Sequence, residues 1–252
     1  MADNTNPYLA PEANEANTTH SAGGTLEDGV AGNYDFEIMA VIKEAWDKTS
    51  GMKAPFWGAA LIIGLGLMVL MSLLSGILGI AVLSGNAVGG MGLSLVIQII
   101  ITALLYPFMA GIIMLGVRRS VDLPITYTQA FGYFGKTIPL VIAATLITIG
   151  TMLGFMLLII PGIYLSIAWL LTIPLIVEKD MGSWSAMEAS RKAVTKHWFK
   201  VFFTYFLMVI IYLISVIPFG LGLIWTLPMM MNVGGILYRT MFGVEEARAL
   251  QA

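Results

Sequence analysis

The chain has 252 residues, of which 58% are hydrophobic and only 11% are charged. A soluble domain carries about a quarter charged residues, so this composition excludes both an ordinary soluble protein and a disordered one. A net charge of −2 argues against a nucleic-acid-binding protein, and the absence of cysteine excludes disulfides and thiolate metal sites. With two histidines and no clustered ligands, we expect neither a metal nor a cofactor.

The first segment, 1–35, is polar, and all of its charged residues are acidic. It lacks the basic start and apolar stretch of a secretory signal. We expect a disordered acidic tail in the cytoplasm. This composition fits a tail that binds a basic partner, and it fits equally a solvated leader segment that binds nothing.

Charged residues are absent from three long stretches: 54–117, 137–177 and 201–238. A helix crosses the hydrocarbon core with about 20 residues, and even the shortest stretch, 201–238, is nearly twice too long for one crossing, so each stretch should contain two spans and a turn. Glycine and proline mark the turns at 84–90, Pro161-Gly162 and 218–220. These breaks divide the stretches into six predicted spans: 56–83, 93–117, 137–160, 162–177, 201–217 and 220–238.

Six spans would place all 13 Lys and Arg residues on the same side as both termini. The positive-inside rule assigns that side to the cytoplasm. The predicted fold class is therefore all-α, an integral membrane bundle of six helices arranged as three hairpins within 36–243. A short cytoplasmic tail is expected at 244–252.

An amphipathic cytoplasmic segment precedes each predicted hairpin. The first has an apolar face made of Ile38, Met39, Ile42, Ala45 and Trp46. The second, 126–136, is short and aromatic. In the third, Ser185 and Glu188 match a capping box, in which each side chain caps the other residue's backbone N–H. Such helices lie in the membrane interface.

The third amphipathic segment carries a basic stripe on one face: Arg191, Lys192, Lys196 and Lys200. Basic side chains in the interface face anionic lipid headgroups. We therefore regard the stripe as a candidate site of headgroup contact.

The second helix of each hairpin contains one proline: Pro107, Pro174 or Pro228. This spacing favours a threefold internal repeat. Proline kinks a helix and frees a backbone carbonyl, so three equivalent kinks are able to surround a central cavity. Ordinary packing of membrane prolines is the alternative interpretation.

Polar side chains are rare within the predicted spans, and none is ionisable. Gln98 could line a cavity or form a hydrogen bond between helices. Asn232, next to Gly234 and Gly235, could face a ligand at an unwound point or lie in a seam of small residues. The G-x-x-x-G of Gly150 and Gly154 predicts close helix packing, either within the chain or in a dimer.

One part of the chain resembles a known group of proteins. The stretch from Pro161 to Tyr164, the segment 172–178 and the segment 185–191 resemble bacterial polytopic inner-membrane proteins. That group is similar to the membrane domain fused to some glycerophosphodiester phosphodiesterases. Asn6-Pro7-Tyr8 also resembles the tails of such proteins. The resemblance implies an inner-membrane location and a hairpin bundle, and it carries over no catalytic residue.

Three classes of function are compatible with these observations. The first is a non-enzymatic scaffold or membrane-homeostasis factor that acts through lipids and through a protein partner or a second copy of the chain. The second is a transporter or channel for a small or amphipathic solute, which predicts a cavity beside the prolines and Gln98 or Asn232. The third, an enzyme acting on lipid, is disfavoured because the sequence offers no nucleophile paired with a base.

Overall fold

The computed structural model describes residues 23–83 and 87–250, which form an all-helical structure. Two short 3₁₀ helices, Tyr127–Phe131 and Phe134–Lys136, follow α3 and form what we call the 3₁₀ pair. The α-helices are α1 Leu26–Ala31, α2 Ile38–Leu83, α3 Ala87–Ser120, α4 Thr137–Leu157, α5 Ile159–Ala168, α6 Thr172–Glu178, α7 Ser183–Lys196, α8 Trp198–Val216, α9 Leu223–Phe242 and α10 Glu245–Ala249.

Five helical segments within the described part of the chain are long and apolar enough to cross a membrane: Ile38–Ile80, Met91–Ser120, Tyr127–Leu157, Ile159–Glu178 and Trp198–Val216. The protein is therefore a helical, multi-pass membrane protein. The sixth predicted span, 220–238, corresponds to α9, which is not among these five. Threonine, proline, asparagine and Arg239 lower the hydropathy of α9.

The least apolar long helix, α9, is also the one at the centre of the bundle. It packs against α2, α3 and α8, and a little over half of its residues are buried. Its contact with α3 is very close: a Cβ on Gly235 would lie 2.1 Å from the Gly116 carbonyl oxygen. A Cβ on Gly116 would lie 2.2 Å from the Met231 carbonyl oxygen. Protein rather than lipid covers Thr226 and Asn232, so α9 tolerates polar residues that a lipid-facing helix does not.

The first amphipathic segment is not a separate interfacial helix, which corrects the prediction for the first hairpin. It is the beginning of α2, which continues without interruption through Pro55. One buried stripe at helical spacing crosses the predicted boundary: Ala45, Thr49, Met52, Phe56, Ala59 and Ile63. Because α2 packs against α9 and the first 3₁₀ helix along this stripe, the helix has no reason to break. Met39 and Trp46, expected on the apolar face, are exposed.

The other two amphipathic segments also differ from expectation. The second is the 3₁₀ pair rather than an α-helix, and its first turn holds the real side-chain cap: the Thr126 N–H donates to Gln129 Oε1 at 3.0 Å. The third is α7, but its N-cap is Gly182, and no side chain caps it. The predicted capping box of Ser185 and Glu188 is wrong because α7 begins two residues earlier, at Ser183.

Both predicted tails contain packed structure. Residues 1–22 lie outside the described residues, but α1 packs against α7 and α9, so the expected disorder does not extend to residue 35. Gly24 and Gly29 lie against the backbone at the end of α9, where a Cβ would lie 2.6 Å from the Met241 carbonyl oxygen. In the 244–252 segment, α10 buries Ala247, and Arg248 donates to the Gly24 carbonyl.

The predicted turn at Pro161-Gly162 is displaced toward the N terminus. The chain reverses at Leu158, in extended conformation, and Pro161 and Gly162 lie within the first turn of α5. The G-x-x-x-G motif lies at this crossing of α4 and α5. A Cβ on Gly154 would lie 3.0 Å from the Gly162 Cα, and one on Gly150 would lie 2.6 Å from the Trp169 ring. The motif thus packs helices within the chain.

The outer ends of α2 and α3 have few neighbours within the described chain. Glycines 64, 66, 76, 79 and 92 all face open space, and most of the large apolar side chains around them are exposed. Of the predicted turn at 84–90, residues 84–86 lie outside the described residues, and the rest begin α3. The α2–α3 pair therefore presents an apolar surface to lipid or to another protein.

Replacing Gly235 by alanine should destabilise the bundle. The new methyl group would overlap the Gly116 carbonyl, and overpacking of this kind costs about 1–3 kcal/mol. The thermal melting temperature of the purified protein in detergent is expected to fall.

Gly66→Ala is the matched control, because its Cβ would meet open space in an equally helical segment. There, alanine's better helix propensity should leave the melting temperature unchanged or slightly raised. Equal melting temperatures for the two variants would contradict the close backbone contact between α3 and α9 at Gly235.

Candidate functional site

The basic stripe is partly neutralised by acidic residues of the chain. Arg191 donates twice to the Glu188 carboxylate, at 2.8 and 2.7 Å, and the Lys192 ammonium lies 3.5 Å from it. These hydrogen bonds, first of all the one from Arg191, lower the pKa of Glu188 to about 2. Lys200 pairs with Asp35 and lowers the pKa of that carboxyl as well.

Lys192 and Lys196 remain the exposed cations of the stripe. Lys192 lies near Glu188, which is already paired with Arg191. The aliphatic stem of Lys196 packs over Gly32, and Lys196 is exposed. Trp184, 70% exposed, lies two turns before Lys192 along α7. The opposite face of α7 is buried, mainly through alanines 186, 189 and 193. We call Trp184, Lys192 and Lys196 the α7 patch.

Charges from distant parts of the chain meet at one end of the bundle. Arg239 of α9 donates to both oxygens of Glu44 in α2, at 2.7 and 2.9 Å, and also to the Ser120 carbonyl of α3. Lys48 binds both oxygens of Asp122 at 2.7 Å. Further pairs join other elements at this charged end: Arg118 with Glu246, Lys136 with Asp180, and Lys179 with Glu245. The sequence predicts these charges on one side of the membrane, but it does not predict which charges form pairs.

The predicted span 162–177 is broken into α5 and α6 at residues 169–171. Ser190 of α7 fills the break: its hydroxyl donates to the Ala168 carbonyl at 2.8 Å and accepts from the Leu171 N–H at 3.2 Å. Both backbone groups would otherwise lack a partner in the buried core. Sequence reasoning missed Ser190, and only its place on the alanine-rich face of α7 hinted at a packing role.

The three proline-bearing helices do border an apolar cavity of about 180 Å³. Of the three prolines, however, only Pro174 lines it, and Pro107 and Pro228 are buried elsewhere in α3 and α9. The remaining lining residues come from α3, α8, α9 and the α5–α6 break: Ile113, Leu170, Leu171, Tyr205, Met230, Met231 and Gly234. Neither polar residue expected there, Gln98 or Asn232, lines this cavity.

Asn232 lies inside the packed core. It is fully buried in an uninterrupted part of α9, and its Nδ2 donates to the Ala45 carbonyl of α2 at 3.2 Å. The interpretation as an unwound, ligand-facing point is therefore wrong, because α9 remains helical on both sides. Asn232 instead ties α9 to α2, one turn before the Gly235 contact.

Gln98 lies in a separate groove of about 330 Å³ between α3 and α4. The groove is lined by Gln98, Ile101, Thr102, Leu105, Tyr106, Ala144, Thr145, Thr148 and Ile149. Gln98 is exposed, and the described part of the chain offers no hydrogen-bond partner for its side-chain amide. The side chain of Gln98 therefore forms no hydrogen bond between helices within the described chain, and it borders this groove rather than the cavity beside Pro174.

A comparison of the chain with models of known protein families, with curated proteins and with solved structures gives no match. The class of the protein, a helical multi-pass membrane protein, therefore rests on its five apolar helices.

Ser190→Ala should loosen the α5–α6 break. It would leave the Ala168 carbonyl and the Leu171 N–H buried without a partner, at a cost of about 1–3 kcal/mol. We expect a lower melting temperature and faster backbone hydrogen exchange at 168–172. Ser185→Ala, on the exposed face of the same helix, should change neither; equal effects of the two substitutions would refute the bridging role of Ser190.

Proposed function

We propose that this chain is a non-enzymatic, multi-pass protein of the bacterial inner membrane that acts as a scaffold or homeostasis factor through lipid and partner contacts. The α7 patch is the observation that carries the proposal. The charged residues of α7 are three cations, Arg191, Lys192 and Lys196, and one acid, Glu188, which pairs with the first two. A surplus of positive charge beside an exposed tryptophan suits an interface of anionic headgroups.

The proposed topology has six spans, with α9 as the sixth and α5 with α6 together as the fourth. Both termini and the α7 patch lie in the cytoplasm. Two facts support it: consecutive helices contact each other in the pairs α2–α3, α4–α5 and α8–α9, and the ion pairs gather at one end. The exposed outer ends of α2 and α3 are the proposed surface for lipid, a protein partner or a second copy.

Transport of a small or amphipathic solute is the second candidate. The cavity of about 180 Å³ among α3, α6, α8 and α9 favours it, because three proline-bearing helices border this cavity. The cavity is apolar apart from Tyr205, so any solute held there must itself be mostly apolar.

The topology is tested with single cysteines, since the chain has none of its own. Phe219→Cys, at the fully exposed turn between α8 and α9, should react with a membrane-impermeant maleimide in intact cells. Lys192→Cys should react only after the inner membrane is permeabilised. The reverse labelling pattern would mean that the topology is the opposite of the one proposed. Labelling of both sites in intact cells would mean that the two sites do not lie on opposite sides of the membrane.

The headgroup contact is tested by native mass spectrometry of the detergent-solubilised protein with phosphatidylglycerol or phosphatidylcholine. A lysine near an anionic surface contributes about 1 kcal/mol, so neutralising Lys192 or Lys196 should lower phosphatidylglycerol affinity roughly fivefold. Lys43→Gln, an exposed lysine on α2, is the matched control and should change little. If all three variants lost phosphatidylglycerol affinity equally, the cause would be the net charge of the protein, and the α7 patch would not be a specific site.

Glu188→Gln should have the opposite effect, because it frees Arg191 and Lys192 for the lipid. The folded-state pKa of Glu188 lies at about 2, below its ordinary value, so the pairing is complete above the ordinary pKa and is lost only as the pH falls through about 2. Glu188 therefore stays ionised when the pH is lowered from about 7 to about 4. Over this range, acidification should not raise the phosphatidylglycerol affinity by protonating Glu188, as the Glu188→Gln substitution does.

A further inference from the structure

The groove between α3 and α4 is distinct from the α7 patch and from the apolar cavity. Its volume of about 330 Å³ lies within the range of about 300–1,000 Å³ found for small-molecule sites. One wall is α3, with Gln98, Thr102 and Tyr106, and the other is α4, with Thr145 and Thr148. Polar groups thus converge on a groove whose other lining residues are aliphatic.

Gln98 and Tyr106 lie at different depths along α3. Gln98 lies 20 residues before the charged end at Arg118, which corresponds to roughly 30 Å at 1.5 Å per residue and so to the far edge of a hydrocarbon core about 30 Å thick. Tyr106 lies 12 residues, or roughly 18 Å, from the same arginine and so within that core. Both residues belong to an apolar segment long enough to span the membrane. A donor without a partner is costly where water is scarce, so a molecule that accepts hydrogen bonds from these side chains gains binding energy.

The hydrogen bonds already present define what the groove offers. The hydroxyls of Thr102, Thr145 and Thr148 donate to carbonyls one turn earlier in their own helices, at 2.8, 2.8 and 2.7 Å. They therefore present only lone pairs to the groove. The Gln98 amide N–H groups and the Tyr106 hydroxyl have no partner among the described residues, and they are the available donors.

We propose that this groove binds a neutral, membrane-soluble amphiphile whose head carries carbonyl or hydroxyl oxygens. The head accepts hydrogen bonds from Gln98 and Tyr106, and the hydrocarbon part lies along Ile101, Leu105 and Ile149. The ligand is neutral because no lining residue is charged, and a charged head would remain unpaired in the membrane. A quinone ring and the ester head of a diacylglycerol share this chemistry.

The test uses the full chain in detergent, with decylubiquinone and dioctanoylglycerol as separate probes. We expect at least one probe to raise the melting temperature saturably, as ligand binding to the folded state requires. Gln98→Leu keeps the size of the side chain but removes its donors, and it should weaken that probe at least tenfold. Tyr106→Phe should weaken it severalfold, which preserves the test if Gln98→Leu folds poorly.

Ser94→Ala is the matched control, because Ser94 is exposed one turn away on α3 and lies outside the groove lining. Its affinity for the probe should stay within twofold of the parent chain. Equal affinity in the Gln98→Leu and Ser94→Ala variants overturns the proposal, as does the absence of saturable binding of either probe.

A second copy of the chain is the competing occupant of the groove. Rapid disulfide formation between Gln98→Cys chains in membranes, together with no probe binding, would assign the groove to that contact and overturn the amphiphile. Phosphatidylglycerol affinity at the α7 patch should be unchanged by Gln98→Leu. Failure of this inference is therefore distinguishable from failure of the proposed headgroup contact.

Discussion

The close contact between α3 and α9 at Gly116 and Gly235 is the constraint on which the rest of the bundle depends. Because neither residue has a side chain, the two backbones approach until a single methyl group would collide with a carbonyl. This approach lets α9 take the centre, where α2 covers it and Asn232 can reach the Ala45 carbonyl. Without a hydrophobic driving force between helices in lipid, such backbone proximity and buried hydrogen bonds are what hold helices together.

The ion pairs at the charged end fix the same arrangement from outside the apolar region. Arg239 joins the ends of α9, α2 and α3 through Glu44 and the Ser120 carbonyl. Ordinary surface ion pairs contribute little, but this arginine is half-buried, makes a bidentate contact and belongs to a network. Most charged side chains at this end are paired in salt bridges, whereas cations outnumber acids on α7.

Some polar side chains in the apolar region connect helices, whereas Gln98 does not. Asn232 and Ser190 connect helices, and both are fully buried. Gln98 faces outward into a groove, and its amide has no partner in the described structure. The cavity beside Pro174 is separate from that groove. The proposed lipid contact at α7, the proposed amphiphile site beside Gln98 and the apolar cavity therefore involve different residues and can be tested one at a time.

The sequence by itself determined the membrane class of this protein, because stretches without charge and longer than one crossing have no other stable environment. It also placed Gly150 and Gly154 in a packing contact, since small residues within spans let helices approach closely, and it left the role of Gln98 open between a cavity and a hydrogen bond. It misplaced the turn at Pro161-Gly162 and the cap of α7, it separated the first amphipathic segment from the span that begins at 56, and it left the role of Asn232 open. Those features depend on which helix lies opposite: the buried stripe of α2 exists because α9 lies against it, and Ser190 matters because a break in another helix lies beside it. Only the tertiary structure decided these points, because periodicity reveals which face of a helix is buried and cannot reveal the neighbour that buries it.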